Sequence, residues 1–481
     1  ALLYAALQKD LGRLVCIVTP GEAEATRFAA DLNTLGIPAA VFPARDYVLR
    51  PIEGTAREYE YRRLAVLGEL VGGRLRAVAV PAEALTQFTT PKEDFCANTR
   101  TLHAGDTLLR DDLLAALFGA GYTRRAQVDG PGQFSVRGDI VDIFAPDQKM
   151  PVRMEFWGDE IDTLHTFDLT TQRREDAIDK FYLSPAREVL FGKPADAAEQ
   201  LRAFLAKQRG KKKTAMADCM AADLDLLDGG AVPVNMDKYL AVRYPHPATV
   251  LDYFDDPILV AEEPASIREA DRATAYRRGE ELKSLILDGV LCAGLDNLYA
   301  DPSYLWSKTG HYRTICAENF ARSMPDQPLK DIINAPAHTL PAWNGEVAGL
   351  LEDLKPLCDA GYTVTLLAGT DRAAAGLARD LRDKGILVTT DAAAAPAAGL
   401  VQVLAGHLSA GCEFPFAKYA LLTGRAFGET SSQKKKRKKA KDALNSLTEI
   451  TPGDLVVHQN HGIGRYAGIQ RMAVQGVAKD Y

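Results

Sequence analysis

The stretch GQFSVRGDIVDIFAP (residues 132–146), followed after a short polar break by PVRMEFWGDEIDTLHTFD (residues 151–168), decides how the rest of the chain is read. Both halves have the pattern of a β-hairpin. Residues 133–136 and 140–144 flank Arg137-Gly138-Asp139, and residues 151–157 and 160–167 flank Gly158-Asp159. A glycine beside Asp or Arg supplies the positive φ that tight hairpin turns require. In residues 152–157 the side chains alternate: Val152, Met154 and Phe156 share one face, and Arg153, Glu155 and Trp157 the other. An antiparallel sheet turns its aliphatic face to a core and the other to water.

That alternation puts a tryptophan outside, beside two charges. Tryptophan and arginine are the residue types that dominate protein–protein hot spots, and Arg137, at the tip of the first hairpin, is placed to join them. The pattern leaves two readings open. In one, Arg137, Arg153 and Trp157 form an exposed binding face. In the other, Trp157 packs under a neighbouring loop and the arginines are simply solvated.

FSVRGDIVDIFAP with PVRMEFWGDEID resembles domain 2 of the excision-repair protein UvrB and the same module in the transcription-repair coupling factors. In those families this small domain docks onto the damage-recognition subunit UvrA. By position, the resemblance implies that Arg137, Arg153 and Trp157 face UvrA. Trp157 stands where the family usually has phenylalanine.

A length of 481 residues predicts about three domains. With 47% hydrophobic and 25% charged residues the composition is that of a soluble globular protein. No apolar run reaches the ~18–20 residues needed to span a bilayer, so no membrane partner is expected and a cytoplasmic location is. No signal peptide is visible and the first residue is not Met, which fits a fragment. The net charge of −7 argues against a globally basic nucleic-acid coat. The seven cysteines (16, 96, 219, 292, 316, 358, 412) are scattered, with no CxxC and no zinc-ligand spacing. No metal site is expected, and an odd, dispersed count fits reduced thiols.

Along the chain, apolar runs at 14–20, 38–42 and 75–80 read as strands and 22–32, 55–71 and 81–85 as helices, an α/β layer with parallel pairing. This region resembles the start of a superfamily-2 helicase domain, but no GxxxxGK[ST] phosphate loop occurs in the chain. Residues 106–121 read as a helix entering the hairpin module, and 172–180 as a charged exit. FYLSPAREVLF at 181–191 resembles a return to the first domain, which makes that domain discontinuous. Residues 196–207 read as a helix and Gly210-Lys211-Lys212-Lys213 as an exposed basic loop. Residues 257–261 form a strand ending in Glu262-Glu263-Pro264-Ala265. The helicase-competent relative has Asp-Glu-x-His there, with the aspartate acting on Mg²⁺ and the glutamate on water. Here Glu262 and Glu263 form a degenerate version of that box, and an acidic helix N-terminus is the plainer reading. The expectation is no ATP hydrolysis by this chain. Residues 270–287 read as a charged helix.

Residues 345–357 and 371–384 (Thr370 as N-cap) read as helices, and 363–368, 386–389, 400–404 and 419–423 as strands, a second doubly wound α/β domain. Residues 321–326 (ARSMPD) and 406–419 resemble domain 3 of the coupling factors. Lys434, Lys435, Lys436, Arg437, Lys438 and Lys439 form an unbroken basic run, read as a solvated linker and compatible with phosphate-backbone contact. TPGDLVVHQNHGIGRYAGI (451–469) reads as strand 455–458, a Gly-rich turn 459–464 and strand 465–469. Gly462-Ile463-Gly464 is not a phosphate loop, because no helix follows. The stretch resembles the opening of the CarD-like, SH3-type barrel that binds the RNA polymerase β subunit, with Asp454, His458, His461, Gly462, Gly464 and Arg465 at its start.

The fold class expected is therefore α/β and multidomain. A helicase-like parallel domain (1–105 and 177–320) carries an inserted antiparallel β domain (106–176). A flavodoxin-like α/β domain (325–428), a basic linker (429–449) and the start of an SH3-like barrel (450–481) follow. The order resembles the N-terminal part of a bacterial transcription-repair coupling factor. The resemblance implies an adaptor that recruits UvrA and RNA polymerase, with no cofactor of its own. ATP, Mg²⁺ and DNA would belong to a C-terminal translocase motor outside this chain. The rival is a UvrB-type ATP-dependent DNA helicase subunit, which needs an intact box and an aromatic DNA-clamping hairpin near 47–60, where only Tyr47, Tyr59 and Tyr61 occur. A purely structural polymerase-binding protein would have no use for an exposed Arg/Trp face.

Overall fold

The computed structural model describes residues 1–52, 57–320, 329–343, 346–395 and 397–424, and then the backbone of four short strands between residues 455 and 480. The chain opens with β1 (Val15–Thr19), β2 (Ala39–Val41) and β3 (Ala77–Pro81), followed by β4 (Arg100–His103). Next come β5 (Thr123–Arg124), β6 (Gln133–Arg137), β7 (Ile140–Phe144), β8 (Val152–Trp157), β9 (Glu160–Phe167) and β10 (Arg174–Ala177). Then β11 (Lys180–Leu183) leads back towards β12 (Ile258–Glu262) and β13 (Arg313–Ala317).

The first sheet has the order β13-β12-β1-β3-β2, all parallel. Residues 15–19 can be apolar throughout because both faces of their strand are covered. Cys16 and Val18 join Val78, Val80 and Leu259 in one core, while Val15 and Ile17 join Ala77, Ile258 and Val260 in another. Since β12 pairs with β1, the chain after the hairpin module returns to the sheet begun at residue 15.

The return is fastened by a buried ion network. Arg63 Nε donates to Glu188 Oε1 at 2.6 Å, and Arg45 donates to both carboxylate oxygens of Asp237 at 2.7 and 3.0 Å. Gln87 joins them, its Oε1 accepting from the Arg45 amide and from Arg63. Glu60 accepts the Glu188 amide at 3.0 Å. Burial alone would raise the Glu60 pKa, but Arg45, Arg187, Arg57 and the Glu188 amide overcome it and hold Glu60 down at about 2.

The middle module is a six-stranded sheet, β10-β9-β8-β7-β6-β5, antiparallel except at β5–β6. The helix Arg110–Gly119 covers one face, burying Leu113 and Leu117 against Phe134, Val141, Ile143, Val152 and Met154. The other face carries only a small cluster of Val128, Phe144 and Phe167.

The third sheet takes in β14 (His338–Leu340), β15 (Thr363–Leu367), β16 (Val388–Thr389), β17 (Val401–Leu404), β18 (Gly411–Phe414) and β19 (Tyr419–Thr423). Its order is β14-β18-β19-β15-β17-β16, parallel from β19 to β16. Thr370 caps the helix Asp371–Asp383 by accepting from the Ala373 amide. This unit touches the first through Ser409, whose amide and hydroxyl donate to Asp31 at 2.8 and 2.7 Å. The mixed α/β class, with parallel and antiparallel sheets, is thus present.

Several details differ from the sequence reading. Gly210–Lys213 is no loop: it is the first turn of the helix Gly210–Asp228, whose Met216, Met220, Asp223 and Leu227 fall on one buried face. The lysines remain exposed, and a helix carries them as readily as a loop does. Within the charged exit, Arg174–Ala177 forms the edge strand β10. The helix expected from 270 starts at Pro264, a residue suited to the first helical position. β14 and β18 add an antiparallel edge that was not foreseen. Gly462-Ile463-Gly464 lies in the strand Gly462–Arg465, paired with Leu455–His458, and not in the turn. A second hairpin, Arg471–Val474 with Val477–Asp480, follows. Asp454, His461 and the basic run at 434–439 lie outside the described residues. Among the described residues, no helix is long and apolar enough to cross a membrane.

Candidate partner-binding face

The hairpins place the candidate residues by register. Asp142 on β7 lies opposite Arg153 on β8, and Ile140 opposite Glu155. Arg137 ends β6 and Trp157 ends β8, each just before a turn glycine with positive φ (Gly138 at 62°, Gly158 at 64°). Both therefore stand at the same end of the sheet. The register shift between Glu155 and Phe156 then sets Trp157 opposite Glu160.

Trp157 is 82% exposed, the open reading rather than the loop-covered one. Asp142, fully buried, is the organiser that sequence reasoning missed. Its carboxylate accepts Arg137 Nη2 at 2.6 Å, Arg153 Nε at 2.7 Å and Arg153 Nη2 at 2.9 Å. Arg153 also donates to the Gln172 carbonyl, and its guanidinium lies 4.8 Å from the Phe167 ring centre. Its side chain is only 11% exposed, against 47% for Arg137. The hydrogen bond to Asp142 pushes the Arg153 pKa further up, so the guanidinium is permanently charged. Of the three candidates, Trp157 is open, Arg137 is half open, and Arg153 is a brace rather than a freely solvated group. Alternation along β7 could have flagged Asp142, because it sits on the outward face opposite Arg153.

Two neighbours complete the face. Arg110 Nη1 donates to the Gly138 carbonyl at 2.9 Å and fixes the first turn. Glu155 is ion-paired with Arg174. A half-free guanidinium held by a buried carboxylate, at the same end of the sheet as an exposed indole, suits an acidic and apolar protein surface.

The other candidates are not assembled into a site. Glu262 ends β12 and accepts the Tyr4 hydroxyl, while burial raises its pKa. Glu263, at positive φ (52°), accepts the Asn319 amide at 2.9 Å and Asn319 Nδ2 at 2.7 Å. Both carboxylates are committed to protein donors, which does not fit an Mg²⁺–nucleotide centre. Among the described residues no cluster of three metal-ligating side chains occurs. Tyr47 is buried, its hydroxyl donating to the Phe88 carbonyl at 2.7 Å, and only Tyr59 of the three tyrosines is exposed. His458, Gly462, Gly464 and Arg465 lie in the paired strands of the first late hairpin.

Comparison with known proteins first gives the class: residues 101–189, the whole of this face, match the family model of the UvrB interaction domain. Residues 450–481 match that of the CarD-like/TRCF RID domain. The chain is 26% identical, over 100% of its own length, to the transcription-repair-coupling factor of Bacillus subtilis (strain 168). It is 27% identical over 92% of its length to that of Staphylococcus haemolyticus (strain JCSC1435), and 25% over 92% to that of Staphylococcus aureus (strain MRSA252). It spans 42% of the first of these relatives and 38% of each of the others. The chain is thus similar along its whole length to transcription-repair-coupling factors, and two of its segments match the UvrB interaction and CarD-like/TRCF RID domain models.

Proposed function

We propose that this chain is the adaptor portion of a cytoplasmic transcription-coupled excision-repair factor. In this reading the module 106–176 docks onto UvrA, and residues 450–481 begin a barrel that engages the RNA polymerase β subunit. The first domain (1–105 with 177–320) and the domain at 325–428 carry those two binding elements, joined by the linker 429–449. ATP, Mg²⁺ and DNA are handled by the remainder of the longer relatives' architecture, a translocase that displaces stalled polymerase.

One observation carries the adaptor role: the exposed Trp157 at the same end of the sheet as Arg137, with Arg137 anchored on the buried Asp142. A direct titration against immobilised UvrA tests it. Arg137→Ala and Trp157→Ala should each weaken binding at least tenfold, as for an interface anchor, while binding to the polymerase β subunit is unchanged. Wild-type affinity in both variants would remove this face from the interface. A UvrB-type helicase reading is not favoured, because Glu262 and Glu263 are already engaged by Tyr4 and Asn319.

A further inference from the structure

The helix Arg110–Gly119 begins at the end of the module's sheet that carries Arg137 and Trp157. The chain leading into it runs antiparallel to the start of β9. The Gly105 amide donates to the Ile161 carbonyl at 2.7 Å, the Ile161 amide to the Asp106 carbonyl at 2.9 Å, and the Leu108 amide to the Asp159 carbonyl at 2.7 Å. Thr107 bridges to Glu160, the residue opposite Trp157 in the hairpin. Arg110 meanwhile reaches the Gly138 carbonyl of the first turn. Residues 108–110 therefore join the two turns.

Leu109 has the wrong chemistry for its position. It is the N-cap of the helix, with extended backbone and no side-chain cap. Ser, Thr, Asp and Asn accept the first orphan amides of a helix, and leucine cannot. Its neighbours have structural tasks. Leu108, one position before the cap, packs against the same core as Leu113, the pairing of a hydrophobic staple. Asp111 and Asp112 sit in the first turn, at the positive end of the helix dipole. Leu109 is left 53% exposed. Among the described residues of the module, three large apolar side chains are exposed: Leu109, Phe118 and Trp157. Phe118 stands edge-on to Phe134, with ring centres 5.2 Å apart. The other two lie at the turn end, and the Asp159 carbonyl that holds Leu108 is two residues from Trp157.

We propose that Leu109 is a second apolar anchor for UvrA, so that the docking face runs from Trp157 over the Gly158-Asp159 turn to the start of the helix. The inference rests on the UvrA-docking reading above and extends it to a residue outside the two hairpins. An apolar side chain that neither caps the helix nor enters the core leaves its surface in water. A partner seated on Trp157 removes that surface from water at the same time.

The test is a titration of the whole chain against immobilised UvrA, with Leu109→Ser and Leu109→Met beside wild type, Arg137→Ala and Trp157→Ala. Serine supplies the missing cap, so the amides of the helix Arg110–Gly119 should exchange as slowly as in wild type or more slowly. UvrA affinity should nevertheless fall at least about fivefold. Methionine keeps the apolar reach and should bind as wild type does. Wild-type affinity in Leu109→Ser, with Trp157→Ala weakened, overturns the proposal and leaves the UvrA reading standing. Wild-type affinity in Leu109→Ser, Arg137→Ala and Trp157→Ala alike removes the whole face. Weaker binding of Leu109→Ser with faster exchange in the helix, or an equal loss in Leu109→Met, assigns Leu109 a structural role and also overturns the proposal.

Discussion

Substitution of Asp142 by asparagine removes the one buried charge that holds two arginines on the outward face of the β module. Its carboxylate accepts three hydrogen bonds, two from Arg153 and one from Arg137. Breaking a buried ion pair by deleting one partner costs about 3–5 kcal/mol. The Arg153 side, 11% exposed, carries nearly all of that, whereas the Arg137 side, 47% exposed, is screened by water and carries under about 1 kcal/mol. Asp142→Asn and Arg153→Ala should therefore each weaken the sheet by about 3 kcal/mol, and Arg137→Ala by less than about 1. Because the chain has several units, a global melt mixes their transitions. Hydrogen exchange of the β6–β8 amides reads the local opening directly. About 3 kcal/mol corresponds to exchange accelerated roughly a hundredfold. Equal acceleration in Arg137→Ala and Arg153→Ala, or none in Asp142→Asn, would refute the reasoning. The same geometry makes Arg153→Glu a poor probe of the interface alone, since it sets a second carboxylate against the buried Asp142.

Trp157→Ala should leave thermal stability within about 0.5 kcal/mol, because an exposed side chain away from special features contributes little to the fold. With Trp157 82% exposed, roughly 200 Å² is available to a partner, worth up to ~5 kcal/mol if fully covered. A calorimetric titration with UvrA should show a loss of at least ~2 kcal/mol. Glu188→Gln should destabilise the first unit by about 3 kcal/mol, read as faster exchange in β1, β3 and β12, because it strips the buried Arg63 of its counter-charge. Glu60 and Asp271 give opposite pH dependences. Glu60, held at about 2, stabilises the fold above the ordinary carboxylate range, and that contribution is lost as pH falls from about 4.5 towards 2. Glu60→Gln should flatten this acid limb in a pH series of urea melts. Asp271, buried without a protein donor, is pushed up to about 7 by burial, against the pull of Arg278. Its neutral form favours the fold, so stability is full below about pH 4 and declines as pH rises through 7. Asp271→Asn should raise the melting temperature at pH 8 and leave it nearly unchanged at pH 4.

Local pattern made the candidate face legible up to a definite limit. Alternation and turn glycines are short-range signals, and they placed β6 to β9 within a residue or so and sent Trp157 outward. They gave the direction of Arg153 but not its burial. That depends on Asp142 across the sheet and on Gln172 and Phe167 beyond β9. The lysines at 211–213 show the same limit from the other side. Charge density suggests a loop, yet one buried stripe of Met216, Met220 and Leu227 is enough to continue a helix through them.

The pairs that sequence could not supply are all long-range, and they decide what can move independently of what. Arg63 with Glu188 and Arg45 with Asp237 join segments on either side of the β module, so the module leaves and re-enters the first unit over a rigid, ion-paired base. β11 pairs with β4 just above that base. A partner pulling on Trp157 therefore acts on a sheet whose two chain connections run into one buried network, and the load passes into the first unit instead of bending a linker. The same reasoning makes Glu188, remote from the face, the residue whose loss would uncouple docking from the rest of the chain while leaving Arg137 and Trp157 in place.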